Sequence, residues 1–456
     1  MTNTNEQWSS KLGFIYATAG SAIGLGAIWK FPYIAGMSGG GAFFILFLLL
    51  TLFLGVPLLI GEYVLGRHTG KDAILTYKKL APRSPYQLTG WLGVIACFLI
   101  LSFYSVIGGW SLLYLGSSLT GQLSGLTLGE SQNYFDNLIA NPALALGAQL
   151  TFLLLAAFVV AKGIQKGIEK VSKWMIPSLL VLLVILAVYS LTLDGAAEGI
   201  RFLLYPDFSA IDGETVLFAL GQSFFALSVG VSVMVTLSSY ASKKQNLPAS
   251  AMVLAVMNIF VALLAGLVIF PGVFTFGFTP EEGPTLIFAV LPAIFEQMAF
   301  GQLPLIAFFV LFLFAALSTA FSLLEIIVAA FVRGNQTKRK RASWIFAILV
   351  FIVGVPSALS YGLLSNLEIG ERSFFDTVDY VTSNILMPLG ALLICLMIPR
   401  KISKEILWQE FTSGSNAGKR LFALWFALIK YVVPLAICIV FIDQLFGLNL
   451  VTIIFG

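Results

Sequence analysis

Near the N-terminus, Gly20-Ser21-Ala22-Ile23-Gly24-Leu25-Gly26-Ala27-Ile28-Trp29-Lys30-Phe31-Pro32 puts three glycines, a lysine and a proline through the middle of an apolar stretch running from about residue 12 to 35. Glycine costs a helix interior about 1 kcal/mol relative to alanine, so three in so short a run argue against one continuous helix. In hydrocarbon a broken helix leaves backbone N–H and C=O groups unpaired, at several kcal/mol each, unless protein, ions or ligand satisfy them. A break at membrane depth therefore reads as a binding site made of backbone.

The chain places that break in a bilayer by its composition. Of 456 residues, 59% are hydrophobic and 11% charged, against about 25% charged in a soluble domain. The class is an all-α polytopic membrane protein. Apolar runs of membrane length fall at about 12–36, 41–66, 88–117, 143–162, 168–193, 214–241, 248–277, 302–332, 342–362, 374–399 and 420–453, giving eleven expected spans; each reaches the ~20 residues that a crossing needs. Cys97, Cys395 and Cys438 all lie inside apolar runs and read as packing residues rather than a disulfide or metal framework. The sole histidine, His68, belongs to a basic span end. The opening Met1 to Lys11 is polar and the next run is too long for a cleavable signal.

Loop charge sets the expected orientation. Basic residues cluster in alternate loops: Arg67, Lys71, Lys78, Lys79 and Arg83, then Lys162, Lys166, Lys170 and Lys173, then Lys243 and Lys244, then Lys338-Arg339-Lys340-Arg341, then Arg400, Lys401, Lys404, Lys419 and Arg420. The opposite loops carry acids such as Glu130, Asp136, Asp194, Asp207, Glu281, Glu282 and Glu368. The positive-inside rule puts the N-terminus in the cytoplasm, and eleven spans put Gly456 outside. The expected setting is the cell (inner or plasma) membrane, crossed many times, with lipid as the surround and no nucleic-acid partner.

A second interruption, Ala226-Leu227-Ser228-Val229-Gly230-Val231-Ser232, sits in the sixth run beside Gln222, Phe224, Phe225, Thr236, Ser238 and Tyr240. Small residues also permit close helix packing, which would explain this one alone. Two breaks at equivalent places in two groups of five spans point instead to an inverted-repeat transporter with its site at the midplane. The expected layout is one domain over 1–456, with repeats at about 12–193 and 214–399 and an extra span at about 420–453.

The residues around these breaks resemble the neurotransmitter:sodium symporter family. The matching stretches are Trp8 to Ala42 with Gly20-x-x-x-Gly24-Leu25-Gly26, Phe31-Pro32-Tyr33 and Gly39-Gly40-Gly41-Ala42-Phe43; Gly55-x-Pro57-Leu58-x-x-x-Glu62-Tyr63-x-x-Gly66-Arg67; Gly221-Gln222-x-Phe224-Phe225-x-Leu227-Ser228; Ala315-Ala316-Leu317-Ser318-Thr319-Ala320; and Phe375-Asp376-x-x-Asp379-Tyr380. Eleven spans, with Ser383-Asn384-Ile385-Leu386-Met387-Pro388-Leu389-Gly390, resemble the bacterial amino-acid branch. The resemblance implies the 5+5 fold with broken helices 1 and 6.

It also implies sites. The family's second sodium site maps to carbonyls of Gly20, Ile23 and Ala315 and hydroxyls of Ser318 and Thr319. A substrate carboxylate maps to the N–H groups of Leu25 and Gly26, at a half-helix N-terminus that favours anions, with a donor from Tyr104. The ammonium maps to carbonyls of Ala22, Phe225 and Ser228 and to Thr319, with Ser21 beside them. Ile100, Phe225, Val231 and Leu323 would line an apolar side-chain space. Gly24 stands where the family's monoamine carriers have an aspartate, which favours an amino acid. Lys30 and Asp379 map to the extracellular gate, although lysine cannot make the two-pronged bond of an arginine. Thr279 to Phe300 is expected to form a lid.

Departures carry equal weight. Ala27 and Ala226 replace an amide and a hydroxyl of the family's first sodium site, Ala262 stands at its chloride or carboxylate position, and Phe47 replaces a tyrosine. Only the carbonyl of Ala22 and the side chain of Asn258 remain, with Gln222 nearby. At the cytoplasmic gate Asn5 and Arg333 replace the family's ion pair, while Trp8, Ser239 and Tyr240 persist. Glu62 and Glu325 are intramembrane carboxylates, which are functional candidates by default; each has a proton-carrying reading and a structural one, with Arg67 near Glu62 and a nearby base expected to pair with Glu325. Gly167 and Pro177 resemble a family pattern that lets span 5 unwind.

The expected function is a sodium-coupled secondary symporter that imports a hydrophobic amino acid by alternating access, using one sodium ion at the second site. A substrate-binding membrane sensor and a proton-coupled amino-acid carrier are the alternatives. No nucleophile–base pair or phosphate loop suggests an enzyme.

Overall fold

The computed structural model describes residues 7–278, 286–298, 300–333, 335–370, 372–415 and 417–446. Nine of its helices are long and apolar enough to cross a membrane, and the bent pair Lys11–Ala22 and Gly26–Met37 makes a tenth. In chain order we number the transmembrane segments 1 (that pair), 2 (Gly41–Thr69), 3 (Pro85–Leu119), 4 (Pro142–Val160), 5 (Ile164–Ser190), 6, 7 (Leu247–Thr275), 8 (Gln302–Val332), 9 (Thr337–Leu359), 10 (Phe374–Lys401) and 11 (Lys419–Asp443). Segment 6, expected as one span over 214–241, is two short helices, Gly213–Leu227 and Val233–Ser238. The expected eleventh run to residue 453 and the terminal Gly456 extend beyond the described residues.

Both breaks fall where glycine and serine permit unusual backbone. Segment 1 bends by 48° across Ile23–Leu25, and Ile23 leaves helical geometry at ψ 70°. In segment 6, Ser228, Gly230 and Ser232 all have positive φ, at 52°, 87° and 60°. Such φ values cost a non-glycine residue energy and persist where surrounding structure fixes them, typically at ligand sites. Segment 10 is what fixes them here. A Cβ on Gly390 would lie 1.9 Å from the carbonyl oxygen of Gly230, and one on Gly230 would lie 2.4 Å from that of Met387. Only glycines let the broken segment and segment 10 approach so closely.

Segments 3 and 8 pack along each other at the centre, and the first half of segment 1 lies against segments 5, 7 and 8. Segments 4, 9 and 11 form the rim and expose large apolar side chains such as Leu144, Phe158, Ile345, Leu424 and Leu435, as a lipid surround favours. Cys97 and Cys395 are buried and all three cysteines are unpaired. Of the expected lid, Leu286–Val290 and Leu291–Glu296 form a buried double turn that fastens to Gly125 in the loop after segment 3 and to Ser131 on the helix Leu128–Ala140 that follows it; residues 279–285 and 299 lie outside the described residues.

Candidate functional site

The two breaks face each other and enclose a small cavity. It is lined by Ser21, Ala22, Gly24, Leu25, Gly26, Ile100, Tyr104, Phe225, Ser228, Val231, Thr319, Leu323 and Met387. The sequence-expected substrate residues are thus all brought together. Sequence reasoning missed Met387 and treated Gly24 only as an absent carboxylate. The room left for the centre of a water-sized sphere is about 20 Å³, enough for about one water. A larger groove of about 700 Å³ runs between segments 2, 7 and 11 past Phe53, Ile60, Met252, Leu424 and Trp425, but it is apolar and open on the lipid side.

At the rim of the cavity the Leu25 N–H donates to the Tyr104 hydroxyl at 3.4 Å. Leu25 and Gly26 open the second half of segment 1, whose N-terminal N–H groups lack intrahelical acceptors. Opposite them, Ser228 Oγ donates to the Ser21 carbonyl at 2.9 Å and so ties one break to the other. Ser21 Oγ lines the cavity and has no hydrogen-bond partner among the described residues. The arrangement offers donors at one end, carbonyls and hydroxyls at the other, and apolar side chains beyond. That polarity matches a zwitterion with an apolar substituent.

Of the second-site residues, Gly20 meets Ser318 and Thr319, while Ser318 Oγ turns back to its own helix. Thr319 Oγ1 lies 3.1 Å from the carbonyls of both Gly20 and Ser21, and Ser318 Oγ lies 3.0 Å from that of Ala315. A Cβ on Gly20 would stand 3.1 Å from the Ser318 Cβ, so segments 1 and 8 touch here because residue 20 has no side chain. Neutral oxygens gathered at a helix break suit a hard monovalent cation, and hydroxyl protons rotate to suit the occupant. The residues present fit a sodium ion.

Around Ala27, Ala226 and Ala262, all fully buried, the fit fails. Asn258 Nδ2 donates to the carbonyls of Ala22 at 3.0 Å and Ala226 at 2.8 Å, and Gln222 Nε2 donates to that of Gly26 at 2.6 Å. A hard cation needs a shell of oxygens, and here methyl groups and amide N–H groups occupy the place of several.

Both ends of the cavity are shut. On the acidic-loop face Lys30 Nζ lies 3.3 Å from Asp379 Oδ2, Ser383 Oγ donates to Asp379 at 2.7 Å, and Lys30 sits 4.9 Å from the centre of the Phe225 ring. On the basic face Trp8 donates through its backbone N–H to Tyr240 and through Nε1 to Leu237. Tyr240 Oη donates to Glu325 at 2.8 Å, and Arg339 binds both Glu325 and the Val160 carbonyl. The base expected to pair with Glu325 is Arg339; Asn5, which with Arg333 replaces the family's ion pair, lies outside the described residues. A second clasp was missed altogether. Ser9 donates from its backbone and hydroxyl to Glu169, which also pairs with Lys173 at 2.6 Å. Glu169 ends the π-helical turn Ile164–Glu169 that opens segment 5, ahead of Pro177 in the same helix.

Glu62 is not paired with Arg67. Its Oε1 accepts the Gly230 N–H at 2.6 Å, holding the break of segment 6 from behind. Arg67 instead binds Glu410 and the Gln245 carbonyl. Glu410, on the short helix Lys404–Thr412, also engages Lys243 and lies 3.3 Å from His68.

Two facing helix breaks around a small cavity closed at both ends, inside a bundle of membrane-length helices, are the features of a membrane transporter. The chain belongs to the sodium:neurotransmitter symporter family, whose model matches residues 5–136 and 136–453. It is 58% identical over 437 residues to an uncharacterized sodium-dependent transporter of Bacillus subtilis (strain 168), YhdH, covering 96% of this chain and 97% of the relative. It is 36% identical to an uncharacterized sodium-dependent transporter of Haemophilus influenzae, covering 98% and 100%. The crystal structure of MhsT in complex with L-phenylalanine superposes with a TM-score of 0.91 at 42% identity, covering 96% of this chain and 99% of that one. The family is one of sodium-coupled membrane transporters, not enzymes.

Proposed function

We propose that this protein is a symporter importing a hydrophobic amino acid by alternating access, coupled to one sodium ion. The observation that carries the reading is the cavity between the breaks, with the Leu25 N–H and Tyr104 hydroxyl at one end and apolar walls beyond. In this reading the carboxylate inserts between Leu25, Gly26 and Tyr104. The ammonium meets the carbonyls of Ala22, Phe225 and Ser228 with Thr319 and Ser21, and the side chain displaces Ile100, Phe225, Val231, Leu323 and Met387 outward. The L-phenylalanine bound to MhsT supports a hydrophobic amino acid as substrate.

Gly20, Ile23, Ala315, Ser318 and Thr319 would hold the sodium, which supplies positive charge that locks segment 1 to segment 8. Thr319 faces both the ion set and the substrate cavity, so filling one orders the other. Lys30 and Asp379 gate the extracellular side; Trp8, Tyr240, Glu325 and Arg339 gate the cytoplasm. Opening of the latter, with unwinding of segment 5 at Gly167 and Pro177, releases ion and substrate inside. Glu62 and Glu325, each already engaged by a donor, act structurally rather than as proton carriers. The basic loops set the N-terminus in the cytoplasm.

The test is accumulation of labelled L-phenylalanine in proteoliposomes under an imposed sodium or proton gradient. Sodium-driven uptake that is lost on replacing Ser318 and Thr319 together by alanine is expected. Binding without accumulation would make the protein a sensor, and undiminished sodium dependence in the double variant would sink the site assignment.

A further inference from the structure

The amide of Asn258 does a job that the alanines around it make necessary. Ala22 ends the first half of segment 1, and Ala226 lies one residue before the end of the first half of segment 6. Carbonyls at such ends have no intrahelical donor and carry the negative end of the helix dipole. Two of them converging on one buried point need a positive group or hydrogen-bond donors between them. Asn258, fully buried on segment 7, puts its NH₂ group there, using one N–H on each carbonyl at 3.0 and 2.8 Å.

Amide planarity decides what else that side chain can do. With the NH₂ group turned to both carbonyls, Oδ1 is turned away from them, and it finds no partner among the described residues. Reversing the amide would set three oxygens against one another, tolerable only with a cation between them. Among the described residues little else could complete such a cation's shell: residues 27, 226 and 262 present methyl groups, and Gln222, whose NH₂ is spent on Gly26, offers its unpartnered Oε1 alone.

We infer that the Asn258 amide stands in place of a cation, a neutral cross-brace joining the two broken helices where the family would bind its first sodium. The inference rests on the single-ion reading above and gives it a chemical cause. The brace is present in every state of loading, so the two breaks stay joined whether or not substrate is bound. Asn258 is a positioning residue: it holds the Ala22 carbonyl and the Phe225–Ser228 turn where the substrate's ammonium meets them.

The experiment uses the full-length protein reconstituted in lipid nanodiscs, with equilibrium binding of radioactive sodium in the absence of amino acid and thermal unfolding against sodium concentration. Wild type is expected to bind one sodium ion per chain, with a Hill coefficient of one for sodium-dependent L-phenylalanine binding. Asn258→Ala should weaken L-phenylalanine binding at least tenfold while leaving the bound-sodium count at one. Asn258→Asp, which sets a carboxylate against the two carbonyls, should acquire a second sodium, read as a count of two and a steeper rise of Tm with sodium. Two sodium ions on wild type, or a count that falls when Asn258 becomes alanine, would overturn the inference. The wild-type count needs no variant to fold, and loss of sodium binding in the Ser318/Thr319 variant reports separately on the second site.

Discussion

Replacing Gly24 with alanine should disable ion and substrate sites together. An ideal Cβ at residue 24 would lie 2.1 Å from Thr319 Oγ1, 3.0 Å from the Tyr104 hydroxyl and 3.1 Å from Thr319 Cβ. The first distance is roughly 1.4 Å short of ordinary contact at ~3.5 Å. Thr319 sits on a packed helix, so relief comes from rotating its side chain, which forfeits the bond that its one hydroxyl proton shares between the Gly20 and Ser21 carbonyls at 3.1 Å. That bond is worth about 0.5–1.5 kcal/mol, and overpacking a core adds about 1–3 kcal/mol. If only ~2 kcal/mol of that falls on the bound state, affinity drops about 30-fold, at 1.4 kcal/mol per tenfold. The assay is equilibrium binding of labelled L-phenylalanine at fixed sodium, repeated as a sodium titration. Both curves should shift, because the proposed ion and substrate sites share Thr319. Gly20→Ala, whose nearest neighbour is Ser318 Cβ at 3.1 Å, should be milder and weigh more on sodium. A Gly24→Ala protein with wild-type affinity for both partners would show that the breaks do not pack as described.

Tyr104→Phe removes a group at the carboxylate end of the cavity; losing a charge-assisted bond costs about 1.5–3 kcal/mol, so amino acids should bind roughly tenfold or more weakly while decarboxylated amines bind unchanged. Equal losses for both ligand types would move the carboxylate elsewhere. Lys30→Arg gives Asp379 a two-pronged partner, so substrate should be held longer and turnover should fall, as seen in exchange rates; faster turnover would contradict the gate. Burial favours the neutral form of Glu410, but Lys243 and Arg67 outweigh it and hold the carboxyl below its usual range. A carboxyl depressed by folding contributes stability above its unfolded value, about 4.3, and that stability is lost as pH falls through the folded value. Tm should therefore drop on acidification below about pH 4, and less so in Glu410→Gln; parallel pH profiles would refute the brace.

The breaks were legible because their cause is local. Gly20, Gly24 and Gly26 in one apolar run, and Ser228 with Gly230 in another, conflict with a continuous helix whatever surrounds them. The cavity lining followed from family resemblance at those same residues. What escaped detection depends on distant parts of the chain. Ser9 reaches Glu169 across 160 residues, and Arg67 finds Glu410 rather than the nearby Glu62; the base expected beside Glu325 could not be named as Arg339, because no spacing rule encodes such partners. Met387 was hidden because an apolar run gives no sign of which face meets a cavity. Asn258 was visible as a polar residue in an apolar helix, but whether its oxygen or its nitrogen faces the breaks is a matter of three-dimensional geometry. Segment 6 failed the length test for a span because its unwound middle divides it into helices of 15 and 6 residues.

Segment 10 carries a π-helical turn at Val381–Leu386, between the gate residue Asp379 and the cavity residue Met387. A wide turn holds one residue more than the α-helix around it needs, so it behaves like slack in a drive shaft. If that turn tightens, Met387 rotates about the helix axis relative to Asp379 while the two ends of the segment stay where they are. A change in that one turn would then reach the proposed outer gate and the cavity wall together, through a single helix.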